Sequence, residues 1–582
     1  MDKKRIIEIL DEIGTLMDLT GENPFRSRAY HNAAQVIGGI TEDLNELVRE
    51  GSLTSIKGIG QGLSDTITEL LQTGKAKIHE DLHAKIPPGV LDLLRIQGLG
   101  PRKVKILYEK LKIKSIAELR EACEKQHLRS MDGFGIKTEE NILKNISHLE
   151  RNSNKHLFPE ALESAEKMVA YLKQLKGVKQ CTYAGSLRRR KEIIGDIDIL
   201  MSTQNKARTS IMSAFTKQED VDTIVATGDT KSTVILKNGI QCDLRIVSDA
   251  EYPFALNYFT GSKEHNVEMR SLARKYGLSL NEYGFTRIEE SRKGAAAKHV
   301  PNCKTEEEIY KTVKLHYIPP ELRENTGEIE FAKNRAIPRL IEMSDMKGTF
   351  HCHTTDSDGL DSLEQMNLAA QNLGWQYIGI ADHSQAAAYA GGMSPAKVRD
   401  QMKRIDTLNA KNKNFFIFKG VECDILTDGS LDYDDKLLSE FDYVVASIHS
   451  KFNMTEDEST KRIIKALKNK NVTMIGHPTG RLLLQREGYP VKLLEVINAA
   501  ADFGKAMEIN AHPMRFDLDW RFLKYAKEKG VPIFINPDAH NIHGLQDIQF
   551  GVGIARKGWL EPKDVVNSWS LHQVSIYLKH KK

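Results

Sequence analysis

The sequence predicts a multidomain chain, with helical domains at the N-terminus, an α+β domain in the middle and a parallel (βα)7 barrel at the C-terminus. Three observations support this prediction. Gly-hydrophobe-Gly turns recur before helical patterns in residues 1–150. An Asp-x-Asp strand and an Asn-Gly hairpin follow in the middle of the chain. From residue 348 onward, short apolar runs repeatedly end in residues that can bind metals.

Two helical domains are predicted at the N-terminus, over residues 1–80 and 81–150. Apolar residues from Ile6 to Met17 follow the spacing of one helix face. The repeated turns are Gly58-Ile59-Gly60, Gly98-Leu99-Gly100 and Gly133-Phe134-Gly135. Such a turn brings backbone amides to a helix N-terminus, where a phosphate can bind without base contacts. The pattern resembles the helix-hairpin-helix motif of DNA-binding proteins, although a repeat can also be purely structural.

The central domain contains three aspartates suited to phosphoryl transfer. Asp196 and Asp198 are two apart on a predicted strand, so their side chains project to one face. Adjacent carboxylates repel unless divalent cations lie between them. Asp243 lies in the second strand of the Asn-Gly hairpin, and the Gly185-Ser186 turn can bind phosphate. Together these parts predict a two-metal site, and the alternative is an edge strand with two solvated aspartates.

These motifs resemble those of the family X DNA polymerases, with a nucleotidyltransferase palm over residues 151–248 and a thumb over 249–317. The resemblance implies that the three aspartates bind two Mg²⁺ or Mn²⁺ ions. It also implies that Gly185, Ser186 and Arg189 bind the triphosphate of a dNTP.

The thumb motif Tyr-Phe-Thr-Gly-Ser extends this resemblance to the sugar and the base. By resemblance, Tyr258 and Phe259 pack against the sugar and disfavour ribonucleotides. Gly261 belongs to the same nucleotide-binding motif. Asn266 matches a position that contacts the nucleotide base, and Arg270 matches one that contacts the DNA template.

The N-terminal domains match the same family less completely. Tyr30 matches a position in a 5′-phosphate pocket, and Lys103 adds charge beside the second Gly-hydrophobe-Gly turn. Thr66 occupies the position of the lysine that forms a Schiff base in members with lyase activity, so amine chemistry is not expected there. Gln241 replaces an arginine that pairs with the carboxylates, which predicts weaker orientation of Asp243.

The C-terminal section, residues 348–582, contains seven apolar runs at intervals of about one βα unit. Parallel barrels of such units collect their chemistry at the C-terminal ends of the strands. His351 and His353, two apart at a strand end, place both imidazoles on one face. Histidine and carboxylate donors suit zinc, manganese or iron better than magnesium alone.

This section resembles the polymerase-and-histidinol-phosphatase (PHP) domain, a distorted (βα)7 barrel that holds three divalent metals, expected to be Mn²⁺, Zn²⁺ or Fe²⁺. Glu422 matches the carboxylate that bridges metals in that family. The matching ligand positions are His351, His353, Asp358, His383, Glu422, His449, His477, Asp538 and His540. The resemblance implies phosphoester hydrolysis.

Composition and charge limit the binding partners and the cellular compartment that can be expected for this chain. The chain has 582 residues and a formal net charge of +4, so DNA contacts must come from local patches. Six cysteines without Cys-x-x-Cys spacing predict a reducing compartment and no structural disulfide. No run approaches the roughly 20 apolar residues of a membrane span, so a cytoplasmic monomer with no membrane partner is expected. The polar segment 318–347 is predicted to be a linker.

The sequence therefore predicts a DNA polymerase that fills short gaps in base excision repair on gapped or primer-template DNA. The C-terminal domain is expected to be a 3′→5′ exonuclease, with abasic-site endonuclease activity as a further option. Two alternatives stay open. One is a small-molecule phosphatase with a DNA-localising N-terminal half, and the other is a non-catalytic scaffold that binds DNA ends.

Overall fold

A computed structural model describes residues 3–40, 44–96, 98–152, 154–288 and 301–580. The chain divides into two compact units, Met1–Ser153 and Asn154–Lys582. Within the described residues, no helix has the length and apolar character needed to cross a bilayer.

Among the described residues of the first unit, all regular secondary structure is helical, as predicted. Its α-helices are α1 (Lys3–Thr20), α2 (Pro24–Gly39), α3 (Leu44–Arg49), α4 (Gln61–Thr73), α5 (Lys77–His83), α6 (Pro88–Asp92), α7 (Pro101–Leu111), α8 (Ile116–Glu124) and α9 (Ile136–Arg151). The apolar face of α1 forms part of the core, with Ile6, Leu10 and Ile13 fully buried. Burial of this stripe, rather than helix propensity alone, holds such short helices in place.

The second unit begins with an α+β domain built on a five-stranded sheet of order β2-β4-β7-β6-β5. Strands β4 and β7 are parallel neighbours, whereas β6 and β7 form the antiparallel hairpin expected from the Asn-Gly turn. The elements are β1 (His156–Leu157), α10 (Phe158–Lys173), β2 (Val178–Tyr183), α11 (Gly185–Arg188), β3 (Ile193–Ile194), β4 (Asp196–Thr203), α12 (Arg208–Thr216), β5 (Val221–Ala226), β6 (Lys231–Leu236) and β7 (Gln241–Val247).

A smaller subdomain with its own apolar cluster follows this sheet. Its elements are α13 (Tyr252–Thr260), α14 (Lys263–Lys275), β8 (Leu278–Asn281), β9 (Gly284–Arg287), α15 (Glu306–Thr312) and α16 (Glu328–Asn334). Residues 318–347, expected from the sequence to be a linker, are folded into this unit. Arg323 is fully buried and donates to the carbonyl oxygen of Ile318 at 2.9 Å and to Glu306 at 2.7 Å. Ile341 is also fully buried, so the segment is not an exposed tether.

The C-terminal part is the predicted seven-stranded parallel barrel, with strands in sequential order from β10 to β16. Its elements are β10 (Gly348–Thr349), α17 (Leu363–Asn372), β11 (Tyr377–Ile380), α18 (Pro395–Lys411), β12 (Phe416–Asp424), α19 (Asp435–Leu438), β13 (Tyr443–Ser447), α20 (Glu456–Leu467), β14 (Met474–Ile475), α21 (Leu493–Asp502), β15 (Ala506–Asn510), α22 (Trp520–Glu528), β16 (Ile533–Asn536), α23 (Ile548–Lys557) and α24 (Leu571–His580).

The first and last strands of this barrel nearly close the sheet. The backbone amide of Phe350 donates to the Asn536 side chain at 3.1 Å, and Cys352 forms a parallel bridge with Ala539. Aromatic side chains fill the interior, where the ring of Phe350 lies 5.0 Å from that of Phe534. Near closure brings the C-terminal ends of all seven strands around one mouth.

Candidate active sites

The carboxylates predicted in the α+β domain come together because β4 and β7 are parallel neighbours. Asp198 lies directly opposite Asp243 in the register of these strands, and Asp196 lies opposite Gln241. Asp243 is 8% exposed, whereas the other two carboxylates are partly exposed. The strand register therefore places three acidic side chains at one end of the sheet.

These carboxylates are electrostatically unfavourable without a cation. Burial raises the pKa of Asp198 to about 7, and the charges of Asp196 and Asp243 add to the effect. Burial, and to a smaller extent the charge of Asp243, also raises the pKa of Asp196. Oxygen donors that repel one another at a partly buried site fit hard divalent cations such as Mg²⁺ or Mn²⁺.

Asp243 has a partner that the sequence analysis missed. Lys231 Nζ lies 2.6 Å from Asp243 Oδ2, and Gln241 Nε2 donates to Asp243 Oδ1 at 3.3 Å. The expected weaker orientation of Asp243 is thus offset by a lysine from the neighbouring strand β6. The register of the Asn-Gly hairpin is the sequence signal that could have located Lys231, which lies opposite Arg245.

The Gly-Ser turn lies against the same carboxylates. Gly185 starts α11 with a φ of +61°, a conformation that L side chains rarely adopt. A Cβ atom at this position would lie 2.2 Å from Asp198 Oδ2. Glycine is therefore required here for both backbone and space, and Ser186 follows it at the start of the same short helix.

Arg189, expected at the triphosphate, contacts the thumb-like subdomain in this structure. Its Nε lies 3.1 Å from Glu324 Oε1, and its Nη1 donates to the carbonyl oxygen of Thr260. The barrel shares this network, because Lys557 on α23 donates to Glu324 Oε1 at 2.5 Å and to the carbonyl oxygen of Arg189 at 3.0 Å. Burial lowers the pKa of Lys557 to about 8, an effect that Glu324 partly offsets.

The Tyr-Phe motif borders the carboxylates. Phe259 lines a small cavity together with Asp198 and Asp243, and the guanidinium of Arg245 lies 4.4 Å from its ring centroid. The ring of Tyr258 meets that of Phe259 edge to face at 5.2 Å.

The other predicted nucleotide and template residues follow on the next helix. Asn266 Nδ2 donates to the carbonyl oxygen of Tyr258 at 2.7 Å, which ties α14 to the motif. Gly261 has a φ of +70° at the end of α13. Arg270 is exposed one helical turn after Asn266, where it can reach a ligand in solvent.

The nine predicted barrel ligands gather at the C-terminal strand ends. Glu422, on β12, is at the centre of the group and is 1% exposed. Its carboxylate oxygens lie 2.8–3.3 Å from one ring nitrogen of each of four histidines, namely His351, His383, His449 and His477. His353 contacts Asp538 at 3.1 Å, and His540 contacts Asp358 at 3.4 Å.

Three groups within this cluster have donor spacing suited to metal ions. They are His353, Asp358, His383 and His540; His351, His353 and Asp538; and His383, Glu422 and His449. Two shared histidines connect the groups into one centre. Among the described residues, the buried Nδ1 atoms of His353 and His477 have no hydrogen-bond partner. Buried imidazole nitrogens without partners and a central carboxylate fit several closely spaced transition-metal ions.

The electrostatics of this cluster also fit the binding of metal ions. His383 and His449 are buried, which by itself disfavours their charged forms, yet Glu422 and other carboxylates raise their pKa values to about 10 and about 9. The histidines in turn hold the pKa of Glu422 well below its usual range despite its burial. Cations thus balance a buried carboxylate cluster, and divalent metals can replace the histidine protons.

Two carboxylates that orient the histidines were not predicted. His351 Nδ1 lies 2.7 Å from Glu508 Oε1, and His449 Nδ1 contacts Asp424. Such partners fix the ring orientation of metal-binding histidines. Glu508 is a charged residue within the apolar run of β15, and Asp424 ends β12, so their positions in the sequence carried a usable signal.

The N-terminal unit presents its glycine turns as predicted. Gly58 and Gly98 have φ values of +99° and +89°, and Gly60 and Gly100 begin α4 and α7 without a side-chain cap. A Cβ atom at Gly60, Gly98 or Gly100 would meet no other atom within 4 Å, so the space beside these turns is open. Lys103 lies beside the second turn and donates to the carbonyl oxygen of Gly98 at 3.2 Å.

Tyr30, expected at a phosphate, points into the core in this structure. It is 5% exposed, and its hydroxyl lies 3.1 Å from Thr66 Oγ1. Thr66 in turn donates to the carbonyl oxygen of Gly62 at 2.9 Å. The position that would carry a Schiff-base lysine is therefore filled by a buried hydroxyl.

Family comparisons match four segments of the chain. A helix-hairpin-helix domain matches residues 1–76, and a SAM-like helix-hairpin-helix tandem matches 90–146. The DNA polymerase beta thumb matches residues 255–324, and the PHP domain matches 349–512. These matches confirm the fold class predicted from the sequence.

Similar proteins include a DNA polymerase/3′-5′ exonuclease PolX from Bacillus subtilis, which is 39% identical over 581 residues covering 100% of both chains. Probable phosphatases from Thermoanaerobacter pseudethanolicus and Caldicellulosiruptor bescii are each 30% identical. They match 40% and 33% of this chain and 94% and 78% of their own lengths. Full-length similarity to the first protein, with the matched domains in order, shows that this chain belongs to the family X DNA polymerases with a C-terminal PHP domain.

Proposed function

We propose that this protein is a DNA-directed DNA polymerase that fills short gaps in base excision repair and carries a 3′→5′ exonuclease in its barrel. One observation supports this most strongly. The second unit contains two separate clusters of side chains that can bind metals, one of three carboxylates on neighbouring strands and one of nine histidine and carboxylate side chains around Glu422. Each centre has the donor set of a phosphoryl-transfer enzyme.

In the polymerase site, we assign Asp196, Asp198 and Asp243 to hold Mg²⁺ or Mn²⁺. When bound, these ions neutralise charge on the reacting phosphate and align the primer hydroxyl with it. Gly185 and Ser186 offer a helix N-terminus to the triphosphate of a dNTP.

The remaining nucleotide contacts come from the thumb and its neighbours. Arg189 reaches the triphosphate after leaving Glu324. Tyr258 and Phe259 border the sugar, and Gly261 provides the turn that follows them at the end of α13. Asn266 contacts the base, and Arg270 contacts the template strand.

In the barrel, the nine ligands described above would hold three divalent ions (Mn²⁺, Zn²⁺ or Fe²⁺). When bound, they supply a nucleophile from water and stabilise the leaving oxygen of a phosphodiester. Glu422 lies at the centre of the ligands and would be shared between ions, and Glu508 and Asp424 fix the orientation of His351 and His449. Abasic-site cleavage is a further activity of the same centre.

The partner of both sites is gapped or primer-template DNA. The turns at Gly58, Gly60, Gly98 and Gly100, with Lys103 beside them, bind its backbone through amides and charge. The domain bounds proposed from the sequence are 1–80, 81–150, 151–248, 249–317 and 348–582, with residues 318–347 joining the last two. We also propose that the protein acts as a monomer in the cytoplasm.

The barrel has a second candidate function, because it resembles proteins named probable phosphatases over most of their length. In that case its substrate would be a small phosphate ester rather than a DNA 3′ end. Histidine and carboxylate metal centres can serve either reaction, so the substrate must be decided by assay.

The test uses purified wild type, Asp196→Ala and Glu422→Ala with Mn²⁺. Gap filling is measured on single-nucleotide-gapped DNA with dNTPs, and degradation on 3′-labelled and 5′-labelled single strands without dNTPs. We expect Asp196→Ala to lose only gap filling and Glu422→Ala to lose only degradation from the 3′ end. Degradation lost in Asp196→Ala, or retained in Glu422→Ala, contradicts the assignment. Hydrolysis of p-nitrophenyl phosphate without DNA degradation supports the phosphatase.

A further inference from the structure

A third group of metal-binding side chains lies in the N-terminal unit, outside both sites described above. His79 and His83 lie on α5, four residues apart, so their rings project from the same face of that helix. Glu12 reaches them from α1. All three side chains are partly buried, with 17–31% of their surface exposed, so a small ion can still reach them from solvent.

The three side chains meet pairwise as a triangle, in which each histidine contacts a different carboxylate oxygen of Glu12. His79 Nε2 lies 3.1 Å from Glu12 Oε2, His83 Nε2 lies 2.9 Å from Glu12 Oε1, and the two Nε2 atoms are 3.1 Å apart. Ligands at about 2.0–2.1 Å from a tetrahedral ion are separated by about 3.3 Å. The observed edges need to lengthen by only a few tenths of an ångström to accept such an ion.

When Glu12 is ionised, hydrogen bonding alone does not satisfy this triangle. Each Nε2 atom carries either one hydrogen or one lone pair. If both nitrogens carry hydrogens, both bond Glu12 but face each other with like charge at 3.1 Å. If only one nitrogen carries a hydrogen, the lone pair of the other faces the carboxylate at about the same distance. One cation coordinated by all three groups makes every edge favourable.

We propose that Glu12, His79 and His83 bind a divalent transition-metal ion of the Zn²⁺ class. Two imidazoles and one carboxylate are borderline donors that suit Zn²⁺ better than Mg²⁺ or Ca²⁺, and they leave the fourth position to water. The ion fastens α5 to α1. Helix α5 directly follows α4, which begins at the first glycine turn. By fixing α5, the ion therefore also stabilises the position of that turn.

The first test counts bound zinc in the full-length protein. Metal-free protein is dialysed against low-micromolar Zn²⁺, and metal per chain is measured by mass spectrometry. We expect His79→Ala, His83→Ala and Glu12→Gln each to bind one ion fewer than wild type. The matched control is His31→Ala, because His31 also pairs with an α1 carboxylate, Asp11 at 2.6 Å, and should leave the count unchanged. The comparison is repeated in a Glu422→Ala background to lower the contribution of the barrel.

The second test locates the ion, and its main comparison uses the wild-type protein alone. Hydrogen–deuterium exchange of wild type is followed with and without Zn²⁺. We expect amide exchange in residues 77–83 to slow at least about threefold with Zn²⁺, and the slowing to disappear in His83→Ala. Equal zinc content in wild type and the three variants overturns the proposal, as does unchanged exchange of α5 in wild type.

Discussion

Replacing Asp198 with asparagine should stabilise the metal-free protein while abolishing DNA synthesis. Burial and the neighbouring carboxylates raise the pKa of Asp198 from 3.8 to about 7. A raised folded-state pKa means that the charged carboxylate destabilises the fold at high pH, and this cost disappears below pH 3.8. At about 1.4 kcal/mol per pH unit, the cost is about 4 kcal/mol at pH 8 and about 1.5 kcal/mol at pH 5. The uncharged amide of the Asp198→Asn variant avoids most of this cost.

The assay is urea unfolding in EDTA, followed by tryptophan fluorescence. All four tryptophans lie in the unit Asn154–Lys582, so the signal reports the unit that contains the carboxylates. We expect Asp198→Asn to raise the midpoint at pH 8 by more than at pH 5. Saturating Mg²⁺ should stabilise wild type more than the variant, because the ion neutralises the same repulsion. Asp222→Asn, an exposed change on the same sheet, is the control and should shift neither midpoint.

Two results would refute this reasoning. A variant less stable than wild type at pH 8 in EDTA would mean that Asp198 is not electrostatically strained. An equal shift at pH 5 and pH 8 would mean that any stabilisation comes from packing and not from removal of charge.

Three further changes test the contacts around this site. Gly185→Ala should reduce primer extension at least about 100-fold (about 2.7 kcal/mol) while exonuclease activity persists, because the added Cβ would meet Asp198. Gly195→Ala is the control, because a Cβ atom at that position lies in open space. Equal activity of the two variants would contradict the requirement for glycine at position 185. In Lys231→Met, the ratio of the extension rate at pH 6.5 to that at pH 8.5, measured at limiting Mg²⁺, should be lower than in wild type, because Lys231 lowers the pKa of Asp198. The same ratio in the variant and in wild type would argue against this role of Lys231. Lys557→Met, in the barrel, should raise the KM for dNTP about threefold to tenfold, because Glu324 without its Lys557 partner holds Arg189 more tightly away from the triphosphate. Exposed Lys563→Met is the control, and an unaltered KM would show that the barrel does not position Arg189.

The sequence by itself determined the elements and the ligand types. Period-two strands, an Asn-Gly turn and repeated glycine turns are local signals, because backbone conformation and side-chain periodicity depend on near neighbours. His351, His353 and most of the other predicted barrel ligands lie at the ends of apolar runs, and parallel strands bring such ends together. Resemblance to the PHP domain completed the predicted set. The carboxylates of the α+β domain were found from an Asp-x-Asp spacing and the hairpin strand that carries Asp243.

Only the tertiary structure decided which distant groups meet. Lys231 reaches Asp243 through hairpin register, Glu508 orients His351 from β15, and Lys557 contacts Glu324 across the junction of thumb and barrel. The triangle of Glu12, His79 and His83 likewise depends on how α5 packs on α1. Local patterns mark Lys231 and Glu508 as candidates but do not say which group each one meets, because distances between elements are set by packing of the whole unit.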